Sequence, residues 1–196
     1  PITFNSVSVQ TQTLNQTTDI FTTIVRNVSK ADNIFISFYS DKGYKGNFKG
    51  VLKQHNLLYH PISYDALHVI GQNYREDLDL SFQLSIGNTV IPEMPTMGVM
   101  DNCKHLQETR NNHVSIKPHM YKTNSFLAVF NLKKLNSANY TGLNLKNNSN
   151  MVVRVKPLYG TSLYTTESGL MPQKMYIVIE HECILEIKAQ SVIFYD

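Results

Sequence analysis

An all-β sandwich with one short helix is the fold class that the sequence predicts, on three observations. Apolar residues alternate with period two in segment after segment, the mark of strands with one buried face. Only the stretch from 98 to 112 carries helical spacing. Connections such as 40 to 56 and 159 to 173 are too long for a simple meander, and they suit strands that return across the top of two packed sheets. The expected architecture is an eight-stranded jelly-roll sandwich with one short helix, a single domain over residues 1–196.

The elements follow in chain order. ITFNSVSV directs Ile2 and Phe4, with Val7 and Val9, toward a core, and a second strand is expected over 20–28. NIFISFYS sets Ile34, Ile36 and Phe38 against Phe35, Ser37 and Tyr39, and another strand is expected over 57–70. DLDLSFQLSI alternates most cleanly: Leu78, Leu80, Phe82, Leu84 and Ile86 share one face, and Asp77, Asp79, Ser81, Gln83 and Ser85 share the other. Gly87-Asn88 follows as a hairpin turn, because both residues accept positive φ cheaply, and the stiff stretch PEMPTMG comes next. The helix is expected to present Met100, Cys103, Leu106 and Gln107, with Asp101 as its cap. Strands are then expected over 126–132, 151–158, 174–181 and 183–194, with turns at 146–150 and near Ala189-Gln190.

Bulk composition narrows the function classes. A single domain of 196 residues buries roughly 70% of its unfolded surface, so one large core is the default. Net charge is +3 from 18 basic and 15 acidic side chains, and the basic residues are scattered rather than gathered into a stripe that neutralises phosphates. Specific nucleic-acid binding is therefore not expected. Cys103 and Cys183 are too few for a disulfide scaffold and lack the paired spacing of a zinc site, which favours a reducing compartment. Sequons at Asn15, Asn27, Asn139 and Asn147 arise by chance in so Asn-rich a chain. No apolar run reaches the roughly 20 residues of a membrane span. The chain starts at Pro1 rather than at methionine, which suggests processing or a piece of a longer protein.

Catalytic spacing is missing throughout. His55 and His60 flank NLLY, His113 and His119 flank VSIKP, and His181 lies inside IEHECILEI; no His-x-His pair exists for a cupin-type metal site. Glu180, His181, Glu182 and Cys183 alternate across the two faces of a strand, so at most two of them reach one ion, and a surface strand with its polar face outward is the simpler reading. ESGL, at 167–170, lacks a nucleophile elbow, and Cys103 reads as a small core residue on an amphipathic helix. Glu76, Asp77 and Asp79 read as a solvated edge rather than an acid–base pair. GYKGNFKG, at 43–50, lacks the Gly-Lys-Ser/Thr ending of a phosphate loop. Eleven tyrosines lean toward binding rather than catalysis, since they offer rigid contact area with a polar tip. No catalytic, cofactor-binding or metal-ligating residue and no cofactor are expected.

The C-terminal half carries a family pattern. NSFLAVFNLKKLNSANYTGLNLKNNSNMVVRVKPL, followed by MYIVIEHECILEIKAQSVIFYD, resembles the closing part of double jelly-roll major capsid proteins of the polinton and virophage-like lineage of double-stranded DNA viruses. The resembling features are the Lys133-Lys134 pair after an apolar strand, the Thr141–Asn144 turn, a strand like Met151–Leu158, and a terminal strand closing on Asp196. QLSIGNTVIPEMP is similar to that family's mid-domain turn and Pro-led segment, so the likeness runs over 78–196 and extends loosely to NIFISFYSDKGYKG.

The resemblance implies a non-enzymatic structural protein of the virion, made inside a host cell. It implies self-association into trimeric, pseudo-hexagonal capsomers that tile an icosahedral shell beside neighbouring capsid proteins. Proteins of that family hold two fused barrels, so this chain would be one of them, the C-terminal one. A one-barrel penton or minor capsid protein, or a glycan- or receptor-binding β-sandwich module, is the alternative.

Overall fold

Alternation becomes pairing most plainly at the hairpin. In the computed structural model, which describes residues 2–14, 19–26, 28–39, 80–110, 121, 126–133, 144, 145, 151–157, 174–188 and 191–195, Leu80, Phe82, Leu84 and Ile86 are buried and the residues between them half-buried. Gly87 supplies the positive φ of the turn, at 56°, and Ile86 pairs with Thr89 directly across it. The strands are β1 (Ile2–Thr13), β2 (Ile20–Ile24), β3 (Ala31–Tyr39), β4 (Leu80–Ile86), β5 (Thr89–Met97), β6 (Ala128–Asn131), β7 (Met151–Pro157), β8 (Lys174–Lys188) and β9 (Ser191–Tyr195). A helix, α1 (Gly98–Thr109), follows β5.

The strands form two antiparallel sheets, in the orders β1-β8-β3-β6 and β2-β7-β4-β5. Between β1 and β8 the partners are nested, β1 with β8, β2 with β7, β3 with β6 and β4 with β5. A long antiparallel hairpin rolled over on itself produces this order, and the pairings β3–β8 and β4–β7 lock the roll. It is the jelly-roll sandwich expected from the sequence. β9 adds no width: Leu185 pairs with Ile2 of β1 and with Phe194 of β9, so β9 lies on the edge opposite β1 and continues the line of β3. Each sheet is thus four strand positions wide.

The core lies between the sheets. Ile34, Ile36 and Phe38 from β3 and Met175, Ile177 and Ile179 from β8 face Phe82, Leu84, Val153 and Val155 of the other sheet, and all are buried. Phe82 sits with its ring centroid 6.3 Å from that of Phe38 and 5.8 Å from that of Phe126, which in turn packs 5.4 Å from Tyr121. Tilted rings at such separations gain quadrupole attraction beyond their buried area.

α1 begins where Gly98 adopts φ 82°, a conformation that side chains with a Cβ resist. Met97, not Asp101, is the N-cap residue, and it has no side-chain cap; Asp101 lies inside the first turn and reaches back to accept the Met97 amide at 3.0 Å. The buried stripe is Val99, Asn102, Cys103 and Leu106; Met100, expected inward, is 65% exposed. Asn102 explains the rotation. Its amide donates to Gly98 O at 2.8 Å and its carbonyl lies 3.3 Å from Thr96 Oγ1, so a buried polar contact, invisible to hydrophobic spacing, pins the helix to β5.

Two further expectations change. None of Ile2, Phe4, Val7 and Val9 is buried: Val7 and Val9 turn away from the core, and Ile2 and Phe4, though on the core-facing side with Ser6, Ser8, Gln10 and Gln12, lie at the far end of an outer strand opposite Leu185 and Cys183. The expected strands 174–181 and 183–194 are instead one unbroken strand, β8, then β9. β1 templates twelve consecutive pairs along β8, and the polar residues 180 to 182 give no reason for a break. The turn does fall where expected, since Lys188 pairs with Ser191 across residues 189 and 190. The expected strand at 57–70 and turn at 146–150 lie outside the described residues.

Candidate functional site

His181 does not stand on a surface strand. It is 4% exposed on the core-facing side of β8, with Nδ1 3.4 Å from Cys183 Sγ, two residues on along the same face. Glu180 and Glu182 point the other way, so the strand period separates the carboxylates from the imidazole as the sequence suggested. Among the described residues no group of three or more His, Cys, Asp or Glu side chains converges to hold a metal ion. Cys103 is buried, and desolvation raises its thiol pKa, which suppresses the thiolate that nucleophilic chemistry needs. Neither cysteine is in a disulfide.

The candidates at His55, His60, His113, His119, Glu76, Asp77, Asp79, 43–50 and 167–170, with all four sequons, fall outside the described residues. Among the tyrosines, Tyr121 is buried and donates to Leu127 O at 2.6 Å, and Tyr176 is half-buried on β8. Neither is a freely exposed binding tyrosine.

The densest polar constellation surrounds the start of β3, where the register with β8 shifts between Ala31 and Asn33. Asp32 occupies the irregularity with its side chain 2% exposed, and Lys133 Nζ lies 2.7 Å from its Oδ2. The Asp32 carbonyl accepts the Leu132 amide at 2.9 Å, which continues the β3–β6 pairing past the end of β6. Asn33 donates to Glu180 Oε2 at 2.7 Å, Arg110 lies 3.5 Å from Glu180 Oε1, and Lys30 lies 3.5 Å from Glu182. Arg110, just past α1, also stacks 5.0 Å from the centroid of Phe35 on the outer face of β3. The constellation ties β3, β6, β8 and the end of α1 together. Each acid has a cation or amide beside it, which makes this a structural clamp rather than a poised acid–base site.

Sequence reasoning did not find this network. Its trace is the Asp32-Asn33 pair ahead of an apolar run, but the partners Lys133 and Glu180 lie 101 and 147 residues away and only the fold brings them in. A second group lies on the outer face of the other sheet, where Asp19 is 3.4 Å from Arg154 and 3.5 Å from Lys156, and Arg154 covers the Phe21 ring at 4.8 Å.

The two long sides of the sandwich differ. Along β5 and β6, α1 covers the opening between the sheets. Along β1 and β2 the opening is bridged by side chains: Gln10 donates to Thr23 O at 2.8 Å and accepts from Val25 N at 3.0 Å, and Arg26 donates to Val9 O at 3.0 Å. Ile2, Phe4, Val7, Val9, Phe21 and Val25 are exposed there. No helix among the described residues is long and apolar enough to cross a membrane.

No family model matches the chain. No curated protein matches it by sequence. Among solved structures, the chain is similar to the VP54 protein of PBCV-1, in a crystal structure fitted into a cryo-EM reconstruction of the virophage Sputnik. The TM-score is 0.50 and the identity 9%, over 98% of this chain and 51% of that one. It also aligns with the STIV MCP at a TM-score of 0.36 and 13% identity, over 89% of this chain and 48% of that one. The chain therefore spans about half the length of each of these two structures, and what it shares with VP54 is the fold.

Proposed function

We propose that this chain is a structural capsid protein, one jelly-roll domain of a double jelly-roll major capsid protein that works through contacts between copies. The observation that carries the reading is the nested strand order β1-β8-β3-β6 and β2-β7-β4-β5, matched over 98% of this chain but only about half of VP54. A partner of half that length fits one barrel of a two-barrel protein. The polar networks support the same reading, because they hold strands and helix in place. A shell subunit needs such a rigid wall, and its interfaces are about as apolar as ordinary surface.

On this reading the whole protein forms trimers with pseudo-hexagonal outlines that build an icosahedral shell, and it resides in the virion. The chain is its C-terminal barrel. Sequencing the open reading frame upstream of Pro1 tests the domain assignment. Some 200 further residues with a second set of alternating strands are expected, given the roughly 100–200 residues of a typical domain. A frame beginning at or just before Pro1 would contradict it and favour a one-barrel penton protein.

A further inference from the structure

We propose that the free edge of β1 is a two-fold self-association site, at which residues 2–8 of one copy pair antiparallel with the same residues of a second copy. The inference goes beyond the capsid reading and does not depend on it. Among the described residues β8 is the one strand beside β1, and none of them pairs with the backbone of the other edge of β1 between Ile2 and Ser8. Which groups line that edge follows from two hydrogen bonds. The Glu182 amide points away from β1, to Lys30 O at 3.0 Å, and the Val9 carbonyl points away from β8, to Arg26 at 3.0 Å. Orientation alternates along an antiparallel ladder, and this one runs without a register shift, so Thr3, Asn5 and Val7 also turn their N–H and C=O groups outward.

Sheet edges are normally protected by charge, proline, bulges, shortness or a covering element. The other outer strands conform. β5 carries Pro92, Glu93 and Pro95, β6 has four residues with α1 beside it, and β2 has five, with Phe21 under Arg154. Over Ile2–Ser8, β1 has none of these devices among the described residues: within ITFNSVSVQTQT, twelve residues long and unbulged, there is no charge and no proline, and only from Val9 onward does Arg26 cover the edge. It also leaves Ile2, Phe4 and Val7 exposed.

A second copy is the occupant that this chemistry fits. A two-fold axis sets the strand against itself, where any ionisable residue near the centre would meet its own charge, and β1 has none. Arg26 and Gln10 occupy the edge from Val9 onward, so the free stretch is Ile2–Ser8 and its midpoint is Asn5. Pairing about that midpoint sets Thr3 opposite Val7, Phe4 opposite Ser6, and Asn5 opposite Asn5 of the second copy. β-Branched and aromatic cross-strand pairs of this kind are favourable.

Sedimentation equilibrium of the 196-residue chain and its variants tests the site. The wild type is expected to show a monomer–dimer equilibrium. Asn5→Lys and Asn5→Glu should each weaken it at least about tenfold, since like charges then meet about 5 Å apart, while an equimolar mixture recovers a heterodimer. At concentrations where the wild type is monomeric the unfolding midpoint should not change, because residue 5 bonds outward. Asn5→Pro should act likewise. A wild type that stays monomeric at every concentration overturns the inference. So does a dimer indifferent to Asn5→Lys; that outcome places self-association on another surface and leaves the capsid reading standing.

Discussion

Lys133 Nζ lies 2.7 Å from Asp32 Oδ2, and the carboxylate it holds is sealed at the irregular start of β3 with its other oxygen unpartnered. Removing the lysine leaves a buried charge alone, which costs far more than losing an exposed ion pair. Lys133→Met should lower stability by about 2 kcal/mol, discounted from the fully buried case because Lys133 is itself 44% exposed. Urea denaturation of the single variants and of the double variant with Asp32→Asn should show coupling; additive losses would show that the pair is not energetically linked.

Phe82 is fully buried between Phe38 and Phe126, whereas Phe21 is 58% exposed on the outer face of β2. Phe82→Ala should therefore cost about 3–5 kcal/mol, through lost burial and the cavity left behind. Phe21→Ala should cost about 1 kcal/mol or less. Equal shifts in the two denaturation midpoints would contradict this placement of the core.

The contrast marks what was legible in the sequence. Leu80 to Ile86 could be read because β4 has one dry and one wet face, so period two maps directly onto burial. β1 misled because Ile2 and Phe4 sit on one face and Val7 and Val9 on the other, and an outer strand leaves both faces exposed over this stretch. α1 came out rotated because Asn102 is buried by hydrogen bonding, not by hydrophobicity. The Asp32 clamp was illegible, since its partners are distant in sequence and ion pairing has no periodicity.

Asn102 offers a check on the helix. Its side chain joins Gly98 O to Thr96 within a buried contact, so Asn102→Ala removes this link between the helix start and β5, and the Thr96 hydroxyl keeps only Phe82 O, at 3.2 Å. A loss of about 1–3 kcal/mol is expected, with Met100→Ala nearly neutral. Circular dichroism melts of the two variants decide it, and the reverse ranking would restore the stripe through Met100.

Cys103 gives a pH dependence. Burial raises its thiol pKa, so the folded chain keeps this proton to higher pH than the unfolded chain does. The resulting stabilisation is complete below the unfolded thiol pKa of about 8.5 and is lost as pH rises from there through the folded value. Urea midpoints measured at about pH 8 and about pH 10 should fall further for the wild type than for Cys103→Ala. Identical declines would remove Cys103 as a contributor.

Native mass spectrometry with electron microscopy of the full open-reading-frame product addresses the capsid reading most directly. Trimers with a pseudo-hexagonal outline, closing into shells at high concentration, are the expected result. A protein that stays monomeric at every concentration and never forms capsomers would contradict it.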